Sequence, residues 1–254
     1  MDGQSPFSSV FTTIPWDGDG GFAFLEDHLK RMHSHADRLR IGIPNDFHHE
    51  VKSLLQGLEP IQLGENLIPG LVRLTLGKDG SLQCNARANP AQRTEIAAIC
   101  LPAPTVPSRV QGCKHGDWSH HEDARRKAEE AGCDAALFIS GDGIIDSDRA
   151  TPILLDMDGT AWFPSPDSGG VESVTLARLV KGLNESGIPV NRGSLTAGMV
   201  DRCQELVLVG SGICVASITE LDGQDIGKNS GQILSSILRD QLADVLSTAW
   251  EKVE

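Results

Sequence analysis

A proline-rich segment near the middle of the chain limits the folds that the sequence can adopt. Residues 101–108 read Leu-Pro-Ala-Pro-Thr-Val-Pro-Ser, and three prolines at this spacing keep a chain extended and outside helices and sheet interiors. Such a stretch is typical of a connector between domains. We therefore predict an N-terminal domain over residues 1–105, a linker over 106–112 and a C-terminal domain over 113–254.

The N-terminal half has the pattern of an α+β domain with antiparallel strands. Apolar residues recur at helical spacing over 25–41, and Gly42 and Pro44 then end the helix. Asp79-Gly80 favours a tight hairpin, because both residues tolerate a positive φ. The predicted strands are 8–15, 22–24, 70–76, 81–86 and 95–102, and the predicted helices are 25–41 and 46–58.

The C-terminal half alternates strands and helices, as α/β domains do. Ser119 and Glu122 have the spacing of a capping box, and Gly132 lies where the helix that starts there would end. The predicted strands are 135–140, 143–146, 152–163, 205–209 and 213–221, and the predicted helices are 119–131, 172–185 and 230–250. The fold class expected for the whole chain is mixed α/β (α+β in its first half).

The composition and charge exclude several classes of partner. The 254 residues carry a net charge of −13, with a pI of about 5.0, which argues against a nucleic-acid surface and against anionic membranes. No apolar run approaches the length that spans a bilayer, and the first residues lack the basic and apolar parts of a leader. The six cysteines show no paired spacing, so we expect reduced thiols and a cytoplasmic protein.

Two short motifs look like parts of metal sites without completing one. His120 and His121 are adjacent on a predicted helix, where their side chains diverge by about 100° and cannot easily bind one ion. Asp17-Gly-Asp19 lacks the rest of a calcium loop and favours a plain turn. We therefore expect no metal site.

The loop 111–119 holds the strongest candidate for a catalytic residue. It reads Gln-Gly-Cys-Lys-His-Gly-Asp-Trp-Ser and lies between the proline-rich segment and a helix start, so its central Lys114 can face a cleft. A lysine whose charged form is destabilised by burial is an amine nucleophile that can form a Schiff base with a carbonyl cofactor. The alternative is an ordinary solvated lysine, which is the commoner case for this residue type.

An ordered set of motifs runs through most of the chain. It comprises, with Lys114, the stretches 11–14 (Phe-Thr-Thr-Ile), 28–36 (His-Leu-Lys-Arg-Met-His-Ser-His-Ala), 39–44, 129–137, 142–146 (Asp-Gly-Ile-Ile-Asp), 163–164, 205–211 and 222–223. This set resembles the class IV pyridoxal-phosphate enzymes of fold type IV, which include branched-chain aminotransferases, D-amino-acid aminotransferases and aminodeoxychorismate lyases. The resemblance implies a two-domain fold like that of D-amino-acid aminotransferase, pyridoxal 5′-phosphate as the cofactor of the C-terminal domain, and a homodimer.

The resemblance implies roles for three charged residues. Lys114 falls at the lysine that tethers the cofactor as a Schiff base and moves the substrate proton. Arg31 falls at the arginine that binds the phosphate, and Asp146 at the acid that pairs with the pyridinium nitrogen. The family usually has glutamate in the place of Asp146, and a plain turn aspartate is the alternative interpretation there.

Four further positions are expected to contact the cofactor or the substrate. Ser211 matches a small hydroxyl residue that caps the phosphate, and Val171 and Glu172 match a helix start whose backbone amides bind phosphate. Arg73, in a predicted strand, is a candidate for holding the substrate carboxylate. An exposed strand arginine is the alternative at that position.

Three positions depart from the family pattern. Glu172 replaces a threonine beside the phosphate, Ser119 a tyrosine near the cofactor ring, and Thr151 an asparagine. The sequence still predicts a class IV, pyridoxal-phosphate-dependent aminotransferase that acts on an amino acid through a Lys114 Schiff base, with amino acids and keto acids as its small-molecule substrates. An aminodeoxychorismate lyase-type enzyme and a catalytically degenerate, non-enzymatic relative are the alternatives.

Overall fold

The computed structural model of the chain describes residues 5–61, 66–90, 92–141, 143–227 and 231–253. The strands are β1 (Ser9–Trp16), β2 (Gly21–Ala23), β3 (Gly70–Gly77), β4 (Leu82–Ala88), β5 (Glu95–Pro102), β6 (Ala135–Ser140), β7 (Gly143–Ser147), β8 (Thr151–Leu155), β9 (Ala161–Phe163), β10 (Val190–Arg192), β11 (Leu195–Thr196), β12 (Glu205–Gly210), β13 (Cys214–Leu221), β14 (Gln224–Asp225) and β15 (Trp250–Lys252). The helices are α1 (Leu25–Leu39), α2 (Phe47–Gln56), α3 (Ser119–Glu130), α4 (Val174–Glu185), α5 (Ala197–Val200) and α6 (Ile233–Ala249). The mixed α/β class is thereby confirmed, and none of these helices is long and apolar enough to cross a membrane.

The chain forms two compact units, and each is assembled from separated parts of the sequence. The first comprises Met1–Ala91, Pro107–Trp118 and Val245–Glu254, and the second comprises Gln92–Val106 and Ser119–Asp244. These limits differ from the predicted division at a linker over 106–112. β5 pairs in parallel with β6 and β13, which places it in the second unit. The segment that carries Lys114 hydrogen-bonds to β1 instead, and β15 pairs with β2, so both lie in the first unit.

The first unit contains an antiparallel sheet in the order β15-β2-β1-β3-β4. Side chains of β1 alternate between its faces, so Val10, Thr12 and Ile14 share one face and Phe11 and Thr13 share the other. α1 packs against β1, and the Thr12 face is the one towards the helix because Thr12 hydrogen-bonds to it. The two faces of β1 therefore present different groups: a buried hydroxyl beneath α1, and an aromatic ring on the opposite side.

The second unit contains a ten-stranded sheet in the order β10-β9-β8-β12-β13-β5-β6-β7-β11, with β14 beside β13. α3 packs against β6 and α4 against β12, so the middle strands are buried and rich in leucine. The predicted strand 152–163 is two strands, β8 and β9, because Asp156 accepts hydrogen bonds from the amides of Asp158 and Thr160 and closes a turn. The last helix, α6, begins at Ile233; its predicted start at Ser230 lies outside the described residues.

Candidate active site

Lys114 is fixed through its backbone on two sides within the first unit. Its carbonyl oxygen accepts a hydrogen bond from the amide of Phe11 in β1 at 3.1 Å. Its own N–H donates to Nδ1 of His35 in α1 at 3.2 Å. The loop at 114 thus has a defined place between a strand and a helix, and its half-buried side chain starts from a fixed Cα.

The Lys114 side chain ends between aromatic rings. Its Nζ lies 4.7 Å from the centre of the Trp118 ring and 5.1 Å from the centre of the Phe11 ring. Both distances are within the range of cation–π attraction. Trp118 therefore supplies aromatic contact next to Ser119, the position where the family pattern has tyrosine.

Arg31 belongs to a hydrogen-bonded chain that sequence reasoning did not foresee. Its Nη2 donates to Oγ1 of Thr12 at 2.9 Å, and the same Oγ1 lies 2.9 Å from Nδ1 of His28. Nη2 of Arg31 also lies 3.4 Å from Nδ1 of His28, and a guanidinium can only donate, so this contact requires an Nδ1 without a proton. The Thr12 hydroxyl then donates to the same Nδ1, and the proton of His28 is on Nε2. Burial, with the charges of Arg31 and Lys114 adding to it, holds the pKa of His28 well below its usual value, so this imidazole stays neutral.

His35 is a second neutral imidazole on the same face of α1. Burial lowers its pKa to about 3, helped by the charges of Arg31, Lys114, Arg38 and His115. An unprotonated Nδ1 is what the hydrogen bond from the Lys114 amide requires. Its i, i+7 spacing from His28 was a signal in the sequence, because two histidines two turns apart on an apolar helix face are both buried.

Arg73 lies beside the same aromatic ring as Lys114. Its Cζ is 3.7 Å from the centre of the Phe11 ring, and the β1–β3 register pairs it with Thr13. It is half-buried and borders a polar groove, so it is more confined than the exposed strand arginine that was the alternative. The groove is further lined by Ser9, Thr75, Lys78, Gln83 and Asn85.

Asp146 is buried in β7 of the second unit and is tied to the predicted phosphate segment. Its Oδ2 accepts from the amide of Val171 at 2.8 Å, and its Oδ1 accepts from the amide of Ser147 at 2.9 Å. Gly170 allows this approach, since a Cβ there would lie 2.2 Å from the Ile145 carbonyl oxygen. A carboxylate oxygen can accept more than one hydrogen bond, so these two contacts do not by themselves prevent Asp146 from accepting one from a protonated ring nitrogen.

The segment after Gly170 leads into the amino end of α4. Ser173 is the N-cap, and its Oγ accepts from the amide of Leu176 at 3.2 Å. Thr175, in the first turn, lies within hydrogen-bond distance of Ser211 (Oγ1 to Oγ, 3.3 Å). The helix amino end thus has two hydroxyls beside amides that lack intrahelical partners, a good arrangement for an anion. Sequence reasoning missed Thr175, because the family motif ends just before it.

Glu172 and Thr151 are the other two positions that depart from the family pattern, and each of them contacts a residue of the second unit. Glu172 turns to Arg192, with 2.7 Å between its Oε1 and the Nη2 of the arginine. Thr151 Oγ1 donates to the Val171 carbonyl at 3.4 Å. Glu172 is therefore held by a cation, and Thr151 supports the backbone of the phosphate segment.

Each unit, taken by itself, offers groups that suit pyridoxal 5′-phosphate. The first unit offers a lysine amine with an aromatic surround and an oriented guanidinium. The second offers a helix amino end with two hydroxyls and a buried carboxylate. Among the described residues, no group of three or more His, Cys, Asp or Glu could hold a metal ion.

Comparisons with known proteins agree with this chemistry. A profile of the amino-transferase class IV family matches residues 9–221. The chain is 23% identical over 245 residues to a Methanocaldococcus jannaschii protein provisionally named a branched-chain-amino-acid aminotransferase, covering 91% of this chain and 85% of that protein.

Two solved structures share the fold. One is the branched-chain aminotransferase of Thermoproteus uzoniensis with norvaline, at a TM-score of 0.79 and 18% identity, covering 98% of this chain and 91% of that one. The other is a hypothetical aminotransferase of Mycobacterium tuberculosis in its PLP-bound form, at a TM-score of 0.76 and 17% identity, covering 94% and 89%. The predicted family and fold are confirmed. Since the family profile spans most of the sequence, this chain belongs to the class IV aminotransferases and is a pyridoxal-phosphate-dependent enzyme.

Proposed function

We propose that Lys114 carries pyridoxal phosphate and moves the substrate proton as the enzyme transfers an amino group from an amino acid to a keto acid. The observation that carries this assignment is a pair of hydrogen bonds that hold the backbone of Lys114, one to its carbonyl from Phe11 and one from its amide to His35. A general base must start from a defined position to reach a proton. When bound, pyridoxal phosphate withdraws electrons from the substrate Cα and so makes its proton removable.

The other charged residues hold the reactants in this proposal. Arg31, oriented by Thr12, binds the phosphate, because a guanidinium is permanently charged and matches phosphate geometry. In the second unit, Ser211 and the Val171-Glu172 segment suit a phosphate through a hydroxyl and backbone amides. Asp146 keeps the ring nitrogen protonated.

Arg73 binds the substrate carboxylate in this proposal. Its guanidinium lies on the Phe11 ring, which is also near the Lys114 amine. An α-amino acid has a carboxylate one bond from the Cα whose proton is removed. A guanidinium and a neutral amine beside one ring can therefore serve that carboxylate and the reacting Cα.

We further propose a homodimer that works in the cytoplasm. The six cysteines are all free thiols, and five of them have a pKa raised chiefly by burial, to about 12 for Cys100. Unpaired, unreactive thiols suit a reducing compartment. Light scattering during size-exclusion chromatography measures the assembly state directly.

The lysine assignment is tested by an absorption spectrum with added pyridoxal phosphate, followed by borohydride reduction and peptide mapping. We expect a visible band and a label on the peptide that contains Lys114. Lys114→Ala should lose both, whereas Lys181→Ala, which removes an exposed lysine of α4, should keep them. A label spread over surface lysines, or an unchanged label in Lys114→Ala, would contradict the assignment. Product analysis then separates amino transfer from elimination, the lyase alternative.

A further inference from the structure

We propose that Arg192 is a positioning residue that makes the Glu172 segment compatible with a phosphate. The proposal rests on the proposed function and extends it to a residue that lies outside every family motif in the sequence. Arg192 neutralises Glu172 and holds its carboxylate by a charge-assisted hydrogen bond.

The amino end of α4 has no acidic side chain in its first turn. The same is true of α5 and α6, whereas the first turns of α1, α2 and α3 each contain one. An anion at a helix amino end is favourable, and only one can occupy the place. Glu172 comes directly before the N-cap Ser173, so its carboxylate is close enough in sequence to compete with a bound phosphate.

Arg192 reaches Glu172 from strand β10. β10 runs parallel to β9, and their register pairs Arg192 with Phe163. The Cζ of Arg192 lies 5.0 Å from the centre of the Phe163 ring, and its Nη2 lies 2.7 Å from Glu172 Oε1. Strand pairing and ring contact thus fix the cation, and the charge-assisted hydrogen bond fixes the carboxylate.

The ion pair of Arg192 and Glu172 is too exposed to contribute much to the stability of the fold. The side chains of Arg192 and Glu172 are 43% and 54% exposed. An ion pair this accessible to water contributes little to folding. Its effect is therefore expected in the binding of a charged ligand and not in the melting temperature of the free protein.

The test is a double-mutant cycle on the dissociation constant of pyridoxal phosphate, measured from its absorption band with Arg192→Met, Glu172→Thr and the double variant. Arg192→Met should weaken binding about tenfold, the order expected of one uncompensated charge near a protein surface. Glu172→Thr should bind at least as tightly as the natural chain. The double variant should regain that affinity, because no carboxylate remains to be neutralised.

Two controls isolate the charge effect. Pyridoxal, which lacks the phosphate, should bind equally to the natural chain and to Arg192→Met. Lys181→Met removes an exposed cation of α4 and should leave the dissociation constant unchanged. Thermal melting of the free proteins should give the same temperature for all variants.

Three results would overturn the proposal. Equal affinity of Arg192→Met and the natural chain shows that the arginine has no such role. Equal weakening by Arg192→Met in the Glu172→Thr background shows that Arg192 acts on the cofactor itself. A natural chain that takes up no pyridoxal phosphate overturns the proposed function and this inference with it.

Discussion

His28 and His35 show why imidazoles are useful next to buried cations. A neutral imidazole can accept a hydrogen bond without adding charge, which lets Thr12 and the Lys114 amide be satisfied beside Arg31. A carboxylate there would pair with the cations and compete for them with a phosphate or a substrate. The two histidines therefore hold the site in place and leave its positive charge available.

Acidification is expected to destabilise the protein through these histidines. Unfolded His35 titrates near pH 6.5, whereas its pKa in the folded protein is about 3. Between these values the unfolded state binds more protons, so the free energy of unfolding falls by up to about 1.4 kcal/mol for each pH unit below the unfolded pKa. His28 also lowers the free energy of unfolding on acidification, because its pKa in the folded protein is lowered as well. Urea unfolding from about pH 7 to pH 5 measures the slope.

His35→Asn is the matched control for this slope. The asparagine amide oxygen can accept the hydrogen bond from Lys114 and does not titrate. The slope of the free energy of unfolding against pH should therefore lose the contribution of His35. His35→Leu leaves the amide without an acceptor and should lower stability by about 1–3 kcal/mol even at neutral pH. An unchanged slope in His35→Asn would show that another group is responsible.

The sequence identified candidate site residues but not the residues that they contact. Lys114 and Arg31 were found through motifs, which are local strings of residues. The bond from Lys114 to His35 joins positions 79 residues apart, and the ion pair from Arg192 to Glu172 spans 20. Such contacts depend on how distant segments pair, so no local pattern predicts them.

The start of α6 illustrates the same dependence at the level of elements. Glu205, buried in β12, accepts hydrogen bonds from the amide of Leu234 at 2.5 Å and the hydroxyl of Ser235 at 2.7 Å. Its carboxylate thus caps a helix that begins 28 residues later at Ile233. A negative charge at this end also complements the helix dipole.

Glu205→Ala is expected to lower the free energy of unfolding by about 2–4 kcal/mol, because buried donors lose a charged acceptor. Glu205→Gln keeps one acceptor oxygen and should cost less. Glu185→Gln, on the exposed end of α4, should change stability by less than about 0.5 kcal/mol. Chemical denaturation of the three variants gives this order, and a Glu205→Ala protein as stable as Glu185→Gln would contradict the capping role.

The sequence predicted β5 as a strand but did not predict its position in the sheet. The residues 95–102 were predicted as a strand and are one, but they pair in parallel with β6 and β13. β-branched and apolar residues identify a strand by its own composition. Its neighbours depend on burial across the whole sheet, and these strands come 33 or more residues later in the sequence.

For the whole molecule, the interleaved chain means that no single cut yields a complete unit. The first unit needs Pro107–Trp118 and the C-terminal residues, and the second needs β5. The proline-rich segment suggested one boundary because its composition resembles a linker. It is instead one of several places where the chain passes from one unit to the other.

A fragment of residues 1–105 is therefore expected not to fold cooperatively. It would expose β5 without its parallel partners and leave β2 without β15. Circular dichroism during urea titration should show a broad, non-cooperative change, in contrast to a sharp transition in the full chain. A sharp transition from the fragment would show that the predicted domain division was adequate.

The pairing of β15 with β2 also sets an order of events during synthesis. Trp250–Lys252 bind the edge of a strand made more than 220 residues earlier. At roughly 5–20 residues per second, that edge stays open for about ten seconds or more while the ribosome makes the residues between β2 and β15. The first sheet can be completed only after Trp250–Lys252 leave the exit tunnel, so the emergence of β15, and not that of Lys114, marks the earliest moment at which this sheet is complete.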